Sequence, residues 1–146
     1  MDKYTCIIIE DEPLALEKMK DFVNKVPFLH LSATFDNALN GLTYLNNNKV
    51  DVLFLDINMP RKNGYECLIE LKSDSSITDF PVVMYSTSLK GTMADMLFEK
   101  GAYYYLRKGD FEDLVKHLQM ILPKLSGKNF PKPSREEFLL TDIRVT

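Results

Sequence analysis

Four places in the sequence carry side chains suited to phosphoryl chemistry, and each lies at the end of a short apolar run. They are, in chain order, Glu10-Asp11-Glu12, Asp56, Ser86 and Lys108. Carboxylates bind hard divalent cations, whereas a hydroxyl and an ammonium group hydrogen-bond phosphoryl oxygens. One acid alone would most often be a solvated turn residue, because 21 of the 146 residues are acidic. The four together, in this order, predict a site for a hard cation and a phosphoryl group.

The apolar runs alternate with helical patterns, which predicts a parallel sheet with helices on both faces. Because ligands bind at the carboxyl ends of such strands, all four places should meet at one edge. The predicted strands are 4–9, 29–35, 50–55, 82–85 and 103–107. The first predicted helix begins near Pro13 and ends before Pro27. The other four cover about 37–46, 65–72, 92–100 and 111–125. This is a three-layer, doubly wound α/β sandwich of five strands and five helices.

Residues at several predicted helix ends fit the known capping preferences. Pro13 suits a first helical turn, and Pro27 should close that helix. Asp36 is the expected N-cap of the second helix, and Asp110 that of the last helix. Gly101 is expected to cap the end of the fourth helix.

Length and composition predict a single globular domain. The 146 residues are 45% hydrophobic and 27% charged, and we expect a domain over 1–125 followed by an extension over 126–146 that forms no separate domain. The net charge of −3 gives no electrostatic reason to bind nucleic acid or an anionic membrane. No apolar run is long enough to span a bilayer, and strand formation from Tyr4 leaves no room for a signal peptide, so we expect a cytoplasmic protein.

Cys6 and Cys67 are predicted to be free thiols. They lie far apart, without a C-x-x-C motif, so the sequence indicates neither a zinc site nor a redox motif. Cys6 falls within an apolar strand and Cys67 within an amphipathic helix, so we expect buried or half-buried side chains.

Four motifs resemble those of bacterial response-regulator receivers over about residues 4–122. They are Ile9-Glu10-Asp11-Glu12-Pro13, Leu55-Asp56-Ile57-Asn58-Met59-Pro60 with Asn63-Gly64, Pro81-Val82-Val83-Met84-Tyr85-Ser86, and Gly101-Ala102 with Tyr105-Leu106-Arg107-Lys108. The resemblance implies a flavodoxin-like sheet with strand order 2-1-3-4-5. The middle and the tail of the chain look more like stand-alone receivers of the chemotaxis-receiver type.

The resemblance implies that Asp56 accepts a phosphoryl group from a histidine kinase or a phosphotransfer protein. It implies a Mg²⁺ cofactor held by Asp11, Asp56 and the backbone carbonyl of Asn58, with Glu10 acting through water. Lys108 would pair with a phosphoryl oxygen. Such a chain is a signalling phospho-acceptor in a two-component system or phosphorelay and not an enzyme.

The resemblance also assigns a switch. Ser86 would hydrogen-bond the phosphoryl group, and Tyr105 would rotate inward in response. The fourth helix, fifth strand and fifth helix would then form the surface that binds a downstream protein or a second copy of the chain. Asn58 and Ser88 occupy positions that tune hydrolysis of the acyl phosphate, and their types imply slow self-dephosphorylation.

Two positions depart from the family pattern. Glu10 replaces the more usual aspartate, which lengthens that ligand by one methylene. Gly109 replaces the proline that commonly follows Lys108, so we expect a trans Lys108–Gly109 peptide.

Four alternatives remain open, and one of them is a degenerate receiver that signals without a phosphoryl group. The first motif also resembles receivers that precede a LytTR-type DNA-binding domain, so the chain could be the N-terminal part of a transcriptional regulator. A haloacid-dehalogenase-like phosphatase would need an acid where Asn58 stands. A flavin mononucleotide binder would need a glycine- and hydroxyl-rich loop in place of Glu10-Asp11-Glu12.

Overall fold

A computed structural model describes residues 3–56, 64–73, 82–86, 91–100, 102, 104–107, 115–116 and 119. In this part of the chain strands and helices alternate, as the sequence predicts. The elements are β1 (Tyr4–Ile9), α1 (Pro13–Lys25), β2 (Leu29–Phe35), α2 (Ala38–Asn47), β3 (Val52–Asp56), α3 (Gly64–Ser73), β4 (Val82–Ser86), α4 (Gly91–Glu99) and β5 (Tyr104–Arg107).

The five strands form one parallel sheet in the order β2-β1-β3-β4-β5. This order agrees with the expected 2-1-3-4-5 order. In the centre of the sheet, Cys6 of β1 lies opposite Val52 of β3, and Ile9 lies opposite Leu55. Because all strands run in the same direction, their carboxyl ends share one edge, where the predicted site should lie.

Alternate residues of the two central strands pack into two separate clusters, one on each face of the sheet. On one face Ile7, Ile9, Leu53 and Leu55 pack with buried residues of α2, α3 and α4. The other face holds the buried residues of α1. The members from β1 and β3 on this second face are Cys6, Ile8, Val52 and Phe54, and Val115 packs against the same cluster. Both faces are therefore covered, which explains why these strands read as continuous apolar runs.

The second helix begins at Ala38, one residue later than a cap at Asp36 would place it. Asn37, and not Asp36, is the N-cap, because the Asn37 Oδ1 accepts a hydrogen bond from the Asn40 N–H at 2.8 Å. Asp36 instead accepts a hydrogen bond from the Asn37 side-chain amide at 2.8 Å. An aspartate one position earlier lies too far from the free N–H groups of the first turn to cap it.

The ends of other elements agree with the prediction or differ from it slightly. The first helix agrees with the prediction at both ends, since it begins at Pro13 and ends at Lys25 with Val26 as C-cap, directly before Pro27. β3 begins at Val52, later than the predicted 50, and includes Asp56 as its last residue. Most of the predicted fifth helix, the caps Gly101 and Asp110, and the extension over 126–146 lie outside the described residues.

A glycine lets α2 approach β1 closely. A Cβ atom built on Gly41 would lie 2.7 Å from the Cγ1 of Ile9 and closer still to its Cδ1. Ile9 is fully buried, immediately before the first acid of the predicted site. The α2 helix therefore packs directly on the end of the strand that leads into this site.

Candidate functional site

Three predicted carboxylates meet at the carboxyl edge of the sheet. Glu10 and Asp11 directly follow β1, and Asp56 ends β3. The pairing of Ile9 with Leu55 brings the next residues of the two strands, Glu10 and Asp56, side by side. One carboxylate oxygen of each of the three residues lies within 4.8 Å of the others, a grouping compatible with a bound metal ion.

Two of these acids are enclosed by the protein. The exposed fraction is 0% for Glu10 and 1% for Asp56, whereas Asp11 is half-buried. The Glu10 Oε1 and the Asp56 Oδ2 are inaccessible to solvent. Neighbouring carboxylates in such surroundings are costly to ionise together, since burial and like charge both disfavour the charged forms. A divalent cation with oxygen ligands would offset both costs, so the donor set fits such an ion.

Two backbone hydrogen bonds hold Glu10 in the site. Its N–H donates to the carbonyl oxygen of Phe35, at the end of β2, at 2.9 Å. Its side-chain Oε2 accepts a hydrogen bond from the N–H of Glu12 at 3.2 Å. Glu10 is thus anchored to the neighbouring strand and to the turn that begins α1.

Glu12 belongs to the helix and not to the carboxylate group, although the sequence presents the three acids as one run. It is the N-cap of α1, and its carboxylate accepts hydrogen bonds from the N–H groups of Leu14 at 3.2 Å and Ala15 at 2.6 Å. Sequence reasoning missed this role, because Ser, Thr, Asp and Asn are the usual N-caps. The signal was the position of Glu12 just before Pro13, since proline is frequent at the first helical position.

The other predicted residues are located only in part. Ser86 is the last residue of β4, and the preceding Tyr85 pairs with Asp56, so the backbone of Ser86 lies one position beyond Asp56 at the same edge. The backbone of Tyr105 lies in β5 and pairs with Met84. Asn58, Ser88, Lys108 and Gly109 lie outside the described residues.

Both cysteines are free and buried, as predicted. Burial raises the pKa of the Cys6 thiol to about 12, and the nearby negative charge of Asp51 adds to the effect. A thiol with so high a pKa is protonated at neutral pH and is a poor nucleophile.

A family comparison identifies the class of protein that this fold and site define. The family described as the response regulator receiver domain matches residues 6–119. The chain therefore belongs to the response regulator receiver domain family of two-component signalling. Members of this family act as signalling phospho-acceptors and not as enzymes in the usual sense.

Individual relatives agree with this assignment. The chain is 35% identical over 104 residues to an uncharacterized response regulatory protein of Vibrio vulnificus, and covers 41% of its length. It is 31% identical over 102 residues to the transcriptional regulatory protein YpdB of Escherichia coli, and covers 40% of its length. The two matches take in 71% and 70% of the present chain. The chain thus spans about two fifths of these relatives.

A solved structure shows the same fold. The response regulatory domain of protein MrkE from Klebsiella pneumoniae superimposes with a TM-score of 0.71 at 27% sequence identity. The match covers 83% of this chain and 97% of that domain.

Within the described part of the chain, no helix combines the length and the apolar character needed to cross a membrane.

Proposed function

We propose that the chain accepts a phosphoryl group on Asp56 and thereby changes the surface that it presents to a partner. One observation carries this proposal: the Asp56 carboxylate ends β3, is 1% exposed, and shares a cluster with Glu10 and Asp11 in a chain of the receiver family. Glu10 and Asp11 would serve this nucleophile by holding a divalent cation beside it, because phosphoryl transfer depends on positioning and on charge neutralisation.

The proposed donor is a phosphohistidine on a histidine kinase or a phosphotransfer protein. One Asp56 oxygen forms a bond to phosphorus while the phosphorus–nitrogen bond breaks, and the bonding electron pair returns to the imidazole ring. The product is an acyl phosphate. Lys108 is proposed to pair with a phosphoryl oxygen, which would offset part of the charge spread over the three equatorial oxygens.

Mg²⁺ is the proposed cofactor. Asp11, Asp56 and the backbone carbonyl of Asn58 would hold it directly, because Mg²⁺ prefers oxygen ligands and keeps several waters. Glu10 would contact it through water, which suits a carboxylate already held through Oε2 by the Glu12 N–H. When bound, this ion supplies most of the charge neutralisation that the transfer requires.

The proposed output is a shift between two packings of the surface formed by α4, β5 and the helix predicted over 111–125. Ser86 would hydrogen-bond the phosphoryl group and Tyr105 would move inward, so that phosphorylation changes the populations of the two states. A downstream protein or a second copy of the chain would bind this surface. Asn58 and Ser88 would leave self-dephosphorylation slow.

We further propose the domain boundaries expected from the sequence: a three-layer receiver over 1–125, including a fifth helix, and an extension over 126–146. We also propose that the protein acts in the cytoplasm without binding nucleic acid through this chain alone.

A second candidate function is that of the receiver part of a longer DNA-binding regulator of the LytTR type. The observation that favours it is the coverage of 41% and 40% of two relatives, one of which is named a transcriptional regulatory protein. The reading frame in the genome tests it. Continuation beyond Thr146 into a basic domain would support this candidate, whereas a stop codon there would exclude it.

The main proposal is tested by incubating the protein with acetyl phosphate and Mg²⁺ and measuring its intact mass. Wild type is expected to gain the mass of one phosphoryl group, and Asp56→Asn to gain none. Asp36→Asn is a matched control, since Asp36 is an exposed acid just after β2 and outside the carboxylate cluster. It should be phosphorylated like wild type. An unmodified wild type, or a modified Asp56→Asn, would contradict the proposal.

A further inference from the structure

We propose that Glu12 is a positioning residue for the metal site, acting through the backbone N–H that holds Glu10. This inference rests on the proposed function, because it assumes that Glu10, Asp11 and Asp56 bind a divalent cation. Glu12 itself is exposed and lies outside the group of three carboxylates that could share an ion. Its effect on the ion must therefore be transmitted by another group.

The transmission runs along a short chain of hydrogen bonds. The Glu12 carboxylate accepts from the N–H groups of Leu14 and Ala15, and the Glu12 carbonyl accepts from the Leu16 N–H at 2.9 Å. At the other end, the Glu12 N–H donates to the Glu10 Oε2. Glu12 is therefore tied to the first turn of α1 by its side chain and its carbonyl, while its N–H holds the Glu10 side chain.

These ties fix the direction of the Glu12 N–H. An uncapped helix end frays, because its first N–H groups have no partners within the helix. When the first turn of α1 opens, the Glu12 peptide is free to reorient, and the hydrogen bond to Glu10 weakens. Glu10 has an extra methylene relative to aspartate and thus an additional rotatable bond, so it depends more on an external partner to hold one rotamer.

A purely electrostatic role for Glu12 gives a different expectation. A negative charge near the site would attract a cation whether or not α1 is capped. Three substitutions at position 12 distinguish the capping role from the electrostatic role. Glu12→Ser keeps an N-cap but removes the negative charge, and Glu12→Asp keeps both the cap and the charge. Glu12→Ala removes both the cap and the charge.

The measurement is the binding of Mn²⁺ alone, followed by electron paramagnetic resonance, on the full chain at a temperature where circular dichroism shows every variant folded. Mn²⁺ is the probe because it takes the same oxygen ligands as Mg²⁺. Asn37→Ala is the matched control, since it removes the corresponding cap of α2 and no hydrogen bond to a site carboxylate. Its melting temperature should fall while its Kd for Mn²⁺ stays that of wild type.

We expect Glu12→Ala to weaken Mn²⁺ binding about three- to tenfold, which is less than the roughly 10- to 100-fold lost when a hydrogen-bond partner of a metal ligand is removed, because Glu12→Ala keeps its backbone N–H. Glu12→Ser and Glu12→Asp should stay within about twofold of wild type, because both retain a cap. The proposal is overturned if Glu12→Ala binds like wild type, if Glu12→Ser is as weak as Glu12→Ala, or if Asn37→Ala weakens binding equally. Wild type that binds no Mn²⁺ would overturn the metal site as well, which separates the two failures.

Discussion

Asp51 and Thr5 are joined by several hydrogen bonds at the amino ends of β1 and β3. The Asp51 Oδ2 accepts from the backbone N–H of Thr5 at 2.8 Å and from its Oγ1 at 3.1 Å. The Asp51 N–H in turn donates to the Thr5 carbonyl at 2.9 Å. Counted along each strand from this pair, the fifth residue is Glu10 on one side and Asp56 on the other. The Thr5–Asp51 contacts thus lie in the same strand register that brings the two buried acids together.

Replacing Asp51 by alanine should destabilise the fold. The variant loses two hydrogen bonds to an exposed carboxylate, so we expect a loss of about 1 kcal/mol in the free energy of unfolding. Urea denaturation followed by circular dichroism measures it. Asp21→Ala is the control, because Asp21 is an exposed acid of α1. Equal stability of the two variants would show that the Thr5–Asp51 pair contributes nothing beyond charge.

Gly41→Ala should lower stability even though alanine favours helices. The added methyl group would lie against Ile9, and overpacking of a buried site costs about 1–3 kcal/mol, more than the roughly 1 kcal/mol gained in helix propensity. Urea denaturation again gives the change in free energy. Adding Ile9→Val, which removes the Cδ1 atom nearest to the new methyl group, should recover part of the loss. A double variant no more stable than expected from additivity would contradict this explanation.

Stability should fall in alkaline solution because of Cys6. Its pKa is raised to about 12 in the folded protein from an ordinary value of 9.0, so the unfolded chain loses this proton first. The contribution is present below pH 9 and declines between pH 9 and 12, by up to about 1.4 kcal/mol per pH unit. Cys6→Ala should be less stable at neutral pH but should lose less stability over that range. Parallel curves for the two proteins would contradict the prediction.

Removal of the metal should lower the stability of wild type and leave that of Asp11→Asn unchanged. Wild type should melt at a higher temperature in Mg²⁺ than in EDTA, because a ligand bound only to the folded state stabilises it by about 2.7 kcal/mol at a hundredfold excess over Kd. Asp11→Asn should be more stable than wild type in EDTA, since it removes one of three neighbouring negative charges, and should not respond to Mg²⁺.

Asp36→Asn serves as the control for the metal experiment and should respond to Mg²⁺ like wild type. Differential scanning calorimetry measures all three proteins in both buffers. A wild type indifferent to Mg²⁺, or an Asp11→Asn variant that is stabilised as strongly as wild type, would contradict the assignment of the metal site.

Much of the fold follows from the sequence, because buried parallel strands are continuous apolar runs and the acids stand at their ends. This pattern predicts that Glu10, Asp11 and Asp56 lie close together, because the ends of parallel strands share one edge of the sheet. The sequence pattern predicts the strand limits to within a few residues and places the cap of α2 one residue too early, since Asp36 and Asn37 are both good caps.

Other features depend on tertiary register and have no local signal. The Thr5–Asp51 pair joins residues that are 46 positions apart, and the need for glycine at position 41 depends on the distance between α2 and Ile9. The capping role of Glu12 was hidden by its place in an acidic run. The first two features are contacts between elements, which a pattern within one element does not reveal, whereas the Glu12 cap is local and its signal is the position before Pro13.

The most direct test of the central claim is to locate the phosphoryl group. The protein is phosphorylated with acetyl phosphate and Mg²⁺, and treated with borohydride, which reduces an aspartyl phosphate to homoserine. Tandem mass spectrometry of the peptides then identifies the modified position. We predict homoserine at position 56 in a phosphoryl-donor- and Mg²⁺-dependent manner. Its absence there, or its formation at another acid in place of Asp56, would contradict the assignment.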